Sequence, residues 1–579
     1  KVLLSESMAS RNGLPYFVVT TDLERPGVLG NAYYKYAYSV NGREYSSSER
    51  SFRLVLEERI ATESPKEFLQ GVWFMNMTRN FTDHDATAHR LLEFYKQVGF
   101  NSIWGVGGPS EYSSAKELGL LVVRSGSKQY CANGYAFMAT GELAQQLTEE
   151  EQFRFHPNFE RYGQRYLRPG VVCPEVLASE EFFPHIKESA LRNLRTADHL
   201  YENWEPYMFQ KRGCVCGRCR RAFRQFAGMT DEQVSAIWPD CVVDLQSEIH
   251  SRFASHQIAR VHRVLQRALR EASREMGRTI PAGFVPAISP KEFDPEQDRH
   301  YTNGAKEYVR YLDMFTIWGM PFDVNLGVVN LQRMVGHNLR FLPAIERTLE
   351  LVGEHGRKQG DRRLPRVCNV SGIHFVGLDR FAMPKVYYFQ TVMNFLQGMD
   401  GHSSYHEAGV DARFIRLRAK AARIMAAYEQ MTLHGARREN YRAEVVSPSP
   451  TLPDRDILYS ISHERDGERI IALGNDYYKT IYVRLAIDDL GTANAHWLVD
   501  RINGRIYGGE TGYSRADLGR GVLIDIPSKE FRILEIHAGG HGVAAADFEL
   551  TDEAAVAADY SRQRQDLLDH ARFLESLGI

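Results

Sequence analysis

Phe68-Leu-Gln-Gly-Val-Trp-Phe-Met75 reads as a β-strand, Asp83–Gly99 as a helix, Asn101-Ser-Ile-Trp-Gly105 as a strand, Ser110–Leu118 as a helix, and Gly119-Leu-Leu-Val-Val-Arg124 as a strand again. The short runs are apolar and rich in β-formers, whereas the longer ones place apolar residues three and four apart. These are the periods that separate strand from helix. Near-continuous apolar strands with helices between them are the pattern of a parallel sheet covered on both faces.

The alternation continues down the chain. A helix at Glu180–Arg195 precedes a strand at His199–Trp204, and a long helical stretch, Asp231–Met276, leads to a strand at Ile280–Val285. Helix Asn303–Leu312 precedes strand Met314–Trp318, and helix Leu331–His355 precedes strand Arg366–Val370. Helix Lys385–Leu396, strand Met399–Tyr405 and a closing helix, Asp411–Thr432, complete the series. Eight strands with intervening helices favour a closed (β/α)8 TIM barrel over an open sheet. The long insertions fall after the third and fourth strands, on the face where barrel enzymes carry their active-site loops.

Outside this region the texture is β. Tyr16-Phe-Val-Val-Thr-Thr21 and Ala32–Val40 are rich in β-formers, and Asn41-Gly42 is a hairpin signal. Beyond a linker marked by Ser447-Pro-Ser-Pro450 and Leu452-Pro453, alternating runs at Asp456–Ser462, Arg469–Leu473, Thr480–Leu485, Gly521–Ile526 and Phe531–Ile536 predict an antiparallel β-sandwich. The expected organisation is a β-rich segment over 1–66, a catalytic barrel over 67–435, a sandwich over 440–547 and a final helix over 550–579.

The 579 residues are 43% hydrophobic and 25% charged, which is ordinary for a globular protein. Lys and Arg number 71 against 73 Asp and Glu, so the basic footprint of a nucleic-acid binder is missing. No apolar run approaches the roughly 18 residues of a membrane helix. The chain begins at Lys1 without a charged-then-apolar leader, which reads as a processed or fragmentary chain with any signal peptide out of view. The compartment stays unknown, and a homo-oligomer is left open.

Chemistry concentrates around the fourth strand, in His199-Leu-Tyr-Glu-Asn-Trp-Glu-Pro206 and Cys214-Val-Cys-Gly-Arg-Cys219. In a barrel, functional side chains come from the C-terminal ends of strands. A strand's period of two points Asn203 and Glu205 the same way and Trp204 the other. A carboxylate beside an amide can protonate a leaving oxygen while fixing a substrate group, although many strand-end Glu residues only pair with an Arg.

Three of the seven cysteines stand at the spacing of three corners of a tetrahedral zinc site, Cys214, Cys216 and Cys219. The fourth corner is expected from Cys173, with Cys131 as second choice. A closed four-thiolate site would be structural; the alternative is three free thiols or a chance disulfide. The basic run Arg218–Arg224 reads as the solvated face of a helix opened by Cys219.

This pattern resembles glycoside hydrolase family 42, barrel β-galactosidases whose acid/base and nucleophile are both Glu. There a fourth-strand Glu is followed by a Cys-x-Cys-x-x-Cys-x-x-x-Phe run that binds zinc. Here Glu205 precedes Cys214 by 214 − 205 = 9 residues and Phe223 completes the run. Gly398-Met-Asp-Gly-His-Ser-Ser-Tyr405 at the eighth strand and the long helix after it are also similar, so the resemblance covers about residues 70 to 430. It implies hydrolysis of a glycosidic bond with retention, Glu205 as acid/base, and zinc as a structural cofactor with none needed for catalysis.

The chain departs from the family at two points. Trp204 stands where the family has Asn, and the seventh strand, Arg366-Val-Cys-Asn-Val-Ser-Gly372, has no carboxylate where the family keeps its nucleophile. One repair takes a nucleophile from a neighbouring loop: Glu407 first, or Asp379 or Asp323. The other needs none, because Asn203-Trp-Glu205 resembles the amide–carboxylate pair of hexosaminidases that use the substrate's own N-acetyl group. A non-catalytic carbohydrate-binding protein on a decayed barrel is a third reading.

Sugar C–H faces pack on aromatic rings, so Trp73, Trp104, Trp204, Trp318 and Tyr405 at strand ends are candidate subsites, with structural packing the competing role for each. His402 and His406 beside the eighth strand read as polar contacts to substrate. Arg124 and Glu175 complete the candidate binding residues. The expected partner is a carbohydrate, with an exo mode because the long insertions would roof the site.

Overall fold

The computed structural model describes residues 27–34, 37–40, 43–46, 50–56, 62–73, 84–105, 109–125, 147–154, 156–157, 172–202, 213–244, 247–279, 282–284, 306–318, 338–359, 362–372, 384–405, 412–446, 457–540, 546–547 and 553–576. The eight expected strands are all present and close on one another: β1 Leu69–Trp73, β2 Ser102–Gly105, β3 Leu121–Ser125, β4 His199–Glu202, β5 Ala282–Phe284, β6 Met314–Trp318, β7 Arg366–Gly372 and β8 Gly401–Tyr405. Every neighbouring pair is parallel, and the β8–β1 pairing of Gly401 with Leu69 closes the ring.

The two faces of the strands are set by their period. Val72, Ile103, Val122 and Leu200 cluster with Leu92 and Tyr95 of α1 (His84–Gln97), Leu194 of α4 (Phe183–Leu194) and Leu269 of α7 (Glu248–Glu275). These alternate positions form the outer layer, so their neighbours line the interior. The interior is packed tightly. A Cβ on Gly401 would come within 2.8 Å of Cys368 Sγ, and one on Gly71 within 2.4 Å of Trp104 Nε1. Only glycine leaves room for the indole there.

Helices α2 (Pro109–Glu117), α3 (Pro174–Leu177), α5 (Gly217–Ala227), α6 (Asp231–Ser235), α8 (Leu342–His355), α9 (Pro384–Leu396) and α10 (Ala412–His434) complete the barrel. The single long helical stretch expected over 231–276 is broken. Its pieces are α6, a 3-10 turn at Asp240–Val242 and α7, with Pro239 between the first two, where it removes a backbone N–H that a continuous helix needs. Of the helix expected at 303–312, the described residues show α-helix over 306–308 running on into a 3-10 turn at Val309–Tyr311. A short hairpin, Arg357–Gln359 with Arg362–Leu364, was not foreseen.

Before the barrel, Gly27–Tyr34 pairs with Arg50–Leu56, and Ala37–Val40 with Arg43–Ser46. Val40 opposite Arg43 leaves Asn41-Gly42 as the two-residue connection. After the barrel, two sheets pack over an apolar core that includes Leu473, Val483, Leu498 and Ile524. The larger has the order β9 (Ala436–Arg437), β11 (Leu458–Arg465), β12 (Glu468–Asn475), β17 (Phe531–Ala538), β14 (His496–Asp500), β15 (Arg505–Tyr507), β18 (Ala546–Asp547). The smaller is β10 (Tyr441–Val445), β13 (Ile481–Ile487), β16 (Val522–Ile526). A short helix, α11 (Arg515–Arg520), precedes β16, and α12 (Glu553–Ser576) follows the sandwich.

Barrel and sandwich share one core. Phe389 on α9 stacks on Phe531 of β17 with ring centroids 4.5 Å apart, and the cluster runs on through Tyr459, Ile470 and Ile533. All residues of α9 from Val386 to Leu396 are buried, as expected for a helix held between a barrel and a second layer.

Candidate functional site

Strand β4 ends at Glu202 on the C-terminal side of the barrel, and the described chain resumes at Gly213, directly before Cys214. Asn203, Trp204, Glu205, Asp323, Asp379, His406 and Glu407 lie outside the described residues, as do Cys131 and the side chains of Trp73, Trp318 and Tyr405. The remaining candidates can be located.

Cys173, Cys214, Cys216 and Cys219 come together. Their sulfurs all lie within 4.8 Å of one another, and all four residues are buried. Cys173 Sγ is 3.4 Å from both Cys216 Sγ and Cys219 Sγ. Several local features hold them. Cys173 is the N-cap of α3 in extended backbone, with its N–H bonded to the Glu151 carbonyl at 2.8 Å. Cys216 caps α5, its sulfur accepting from the Cys219 N–H at 3.4 Å, so that helix opens at Gly217 rather than at Cys219. The Arg154 N–H donates to Cys214 Sγ at 3.3 Å, and the Val215 N–H to the Arg154 carbonyl at 2.8 Å.

Burial pushes Cys214 and Cys219 well above the ordinary thiol range, while S–H donation from Cys173, Cys214 and Cys219 holds Cys216 far below it. Sulfurs bound tetrahedrally at about 2.3 Å from a zinc ion would lie about 3.8 Å apart. The spacing and burial fit a four-thiolate metal shell.

Glu175 and Arg124 have partners away from the barrel interior. Glu175 Oε1 accepts from Gln257 Nε2 at 2.8 Å and Oε2 from Arg260 Nη1 at 2.7 Å, both on α7 beside the sulfurs. Arg124 alternates with the inward positions of β3, and its guanidinium donates to Thr196 Oγ1 at 2.8 Å and lies 5.3 Å from the Tyr112 ring centroid. It belongs to the helix layer. A guanidinium stem beside an aromatic on α2 explains that choice better than a sugar contact does.

Trp104 faces the barrel interior at 1% exposure, with Nε1 donating to Ser102 Oγ at 3.1 Å, so it packs the barrel instead of presenting a ring at its rim. His402 is also corrected. Its Nδ1 meets Asn394 Nδ2 of α9 at 3.0 Å and its ring packs edge-on to Tyr387, so it faces the helices, where burial holds it well below the usual imidazole value.

Gln257 and Arg260 were not read from the sequence as site residues. The legible signal was the buried stripe of α7, in which a glutamine among Phe253, Ile258 and Val261 needs a polar partner.

No protein-family model matches the chain, and no curated protein matches it. Solved structures do align. An alpha-amylase from Anoxybacillus is 8% identical, covering 82% of this chain and 99% of its own, with a TM-score of 0.47. An alpha-amylase from Geobacillus thermoleovorans, solved with acarbose, is 10% identical over 82% of this chain and 99% of its own, at 0.44. An alpha-galactosidase from Geobacillus stearothermophilus is 11% identical over 86% and 61%, also at 0.44. Likeness of this degree carries no argument about the reaction. The barrel itself rests on the chain's own strand pairing. Among the described residues no helix is long and apolar enough to cross a membrane.

Proposed function

We propose that the chain is a glycoside hydrolase acting on a carbohydrate, retaining and exo-acting, with Glu205 as general acid and then base. The observation that supports this most is the register of β4. Leu200 belongs to the outer layer, so odd-numbered positions of this strand face the barrel interior, and Asn203 and Glu205 share that parity just beyond its C-terminal end. In the sequence they lie between the end of β4 at Glu202 and Cys214 of the four-sulfur cluster.

In this reading Glu205 protonates the glycosidic oxygen as the bond to the sugar breaks. Glu407, two residues beyond β8, attacks the anomeric carbon, and Glu205 then takes a proton from the water that releases the sugar. Trp73, Trp204, Trp318, Tyr405, His406, Asp323 and Asp379 remain proposed contacts to the sugar. The four cysteines would hold one zinc ion, which when bound supplies structural cross-linking and no open coordination position.

A second reading has its own support. Strand β7 runs Arg366–Gly372 without a carboxylate, and Cys368 packs into the barrel interior against Gly401. That favours a substrate-assisted N-acetylhexosaminidase, in which Asn203 holds the acetamido group and no protein nucleophile is required.

Glu205→Gln is expected to lower turnover of unactivated oligosaccharides by about 10²–10⁴-fold, and to affect activated aryl glycosides less in the first step. Full activity of that variant on a natural oligosaccharide would sink the assignment. On nitrophenyl galactosides and N-acetylhexosaminides, the first reading expects Glu407→Gln to be crippling. The second expects Asn203→Ala to be crippling, with cleavage confined to 2-acetamido sugars.

A further inference from the structure

The ring of polar groups around the four sulfurs contains one side chain whose orientation is dictated. Gln257 on α7 is 3% exposed, and its Nε2 donates both to Glu175 Oε1 at 2.8 Å and to Cys219 Sγ at 3.5 Å. An amide nitrogen has two N–H groups and the amide oxygen none, so which end faces the sulfur decides between attraction and repulsion. Glu175, two residues after Cys173, can only accept as a carboxylate, and Arg260 one turn along α7 anchors its other oxygen at 2.7 Å. One N–H is thereby committed to Glu175, and the second is directed at the thiol of Cys219.

We infer that Gln257 is a positioning residue for the metal centre, its amide oriented by the Glu175–Arg260 pair so that an N–H donates to the Cys219 thiolate. The inference rests on the proposal that the four cysteines hold a metal. Four thiolates around a divalent ion keep a net double negative charge in a buried setting, and donors to sulfur disperse it. The backbone N–H groups of Arg154 and Cys219 serve Cys214 and Cys216 in the same way. Gln257 is the described side chain that does so, and Glu175 thereby has a role unrelated to sugar binding.

The test uses the full chain loaded with zinc or cobalt, with metal affinity read by competition against a coloured chelator. Gln257→Glu keeps the shape but turns a carboxylate toward the thiolate, and is expected to weaken binding by about 10–100-fold. Gln257→Met fills the volume without donors and should weaken it by about 10-fold. It should also move the thiolate-to-cobalt charge-transfer band to lower energy, because an unbonded thiolate gives up an electron more easily. Glu175→Gln, which removes the constraint on the amide, should fall between the wild type and Gln257→Met. Wild-type affinity and an unmoved band in all three variants overturn the inference, since a packing role predicts that Met is harmless. A wild-type chain that takes up neither zinc nor cobalt at one ion per chain fails the metal proposal itself, and the role of Gln257 falls with it.

Discussion

Glu429 on α10 has its two carboxylate oxygens on the backbone N–H groups of Lys66, Glu67 and Phe68, at 3.0, 2.5 and 2.6 Å. It fixes the entry to β1 from the far end of the barrel region, 361 residues away in sequence for Phe68. Another buried group, His262 on α7, makes a pH prediction. It packs 5.7 Å from the Tyr308 ring, and burial lowers its pKa to about 3. The folded protein therefore keeps it neutral where the unfolded chain, titrating near 6.5, binds a proton. A depressed base contributes stability that is present above about pH 6.5 and is lost as pH falls from there toward about 3, at up to about 1.4 kcal/mol per pH unit. His262→Gln should flatten that loss, retaining about 2 kcal/mol more than the wild type retains on going from pH 7 to pH 5 in urea unfolding. Equal pH slopes would show that His262 is not the titrating group.

At the scale of elements, the four-sulfur cluster joins the N-terminus of α3, capped by Cys173, to the N-terminus of α5, capped by Cys216, and to Cys214 just before it. A closed thiolate shell supplies folding energy outright and leaves no position for substrate. Cys214→Ser combined with Cys216→Ser should abolish metal uptake and lower the melting temperature, while the ranking of sugars cleaved stays the same. Elemental analysis and calorimetry check the first two, and a glycoside panel the third. A double variant that keeps its metal, or that changes sugar preference, would contradict a structural site.

The whole molecule is held together by more than the apolar core between α9 and the sandwich. Asp476, between β12 and β13, is fully buried. Its Oδ1 accepts from Lys529 Nζ at 2.6 Å and from Asn338 Nδ2 at 2.9 Å, and its Oδ2 accepts from the Asn338 N–H at 2.9 Å. Asn338 opens the turn that leads into α8, so this carboxylate bridges barrel and sandwich while neutralising a buried ammonium. Removing one partner of such a pair strands the other charge, at a cost of about 3–5 kcal/mol. Asp476→Ala is therefore expected to lower the melting temperature and to open the junction to limited proteolysis before the barrel itself is cut. A variant as protease-resistant as the wild type would show that the apolar contacts alone hold the two parts.

The sequence by itself determined the eight barrel strands, because each is a short apolar run bounded by helices of a different period, and that contrast survives any tertiary arrangement. It determined the spacing of Cys214, Cys216 and Cys219, and singled out Cys173 as their partner. Tertiary structure decided that the four sulfurs meet, since Cys173 and Cys214 stand on opposite sides of β4 in the chain and are brought together only once β3 and β4 have paired. It also decided which polar residues turn inward. Arg124 on the third strand, Glu175 in the insertion after it and His402 beside the eighth strand looked alike as polar candidates for the site, yet the first two serve neighbouring helices and the thiolate cluster, and the third faces α9. Strand period gives alternation without saying which alternate is inside, and that choice was made by where Leu200, Ile103 and Val122 found their helices.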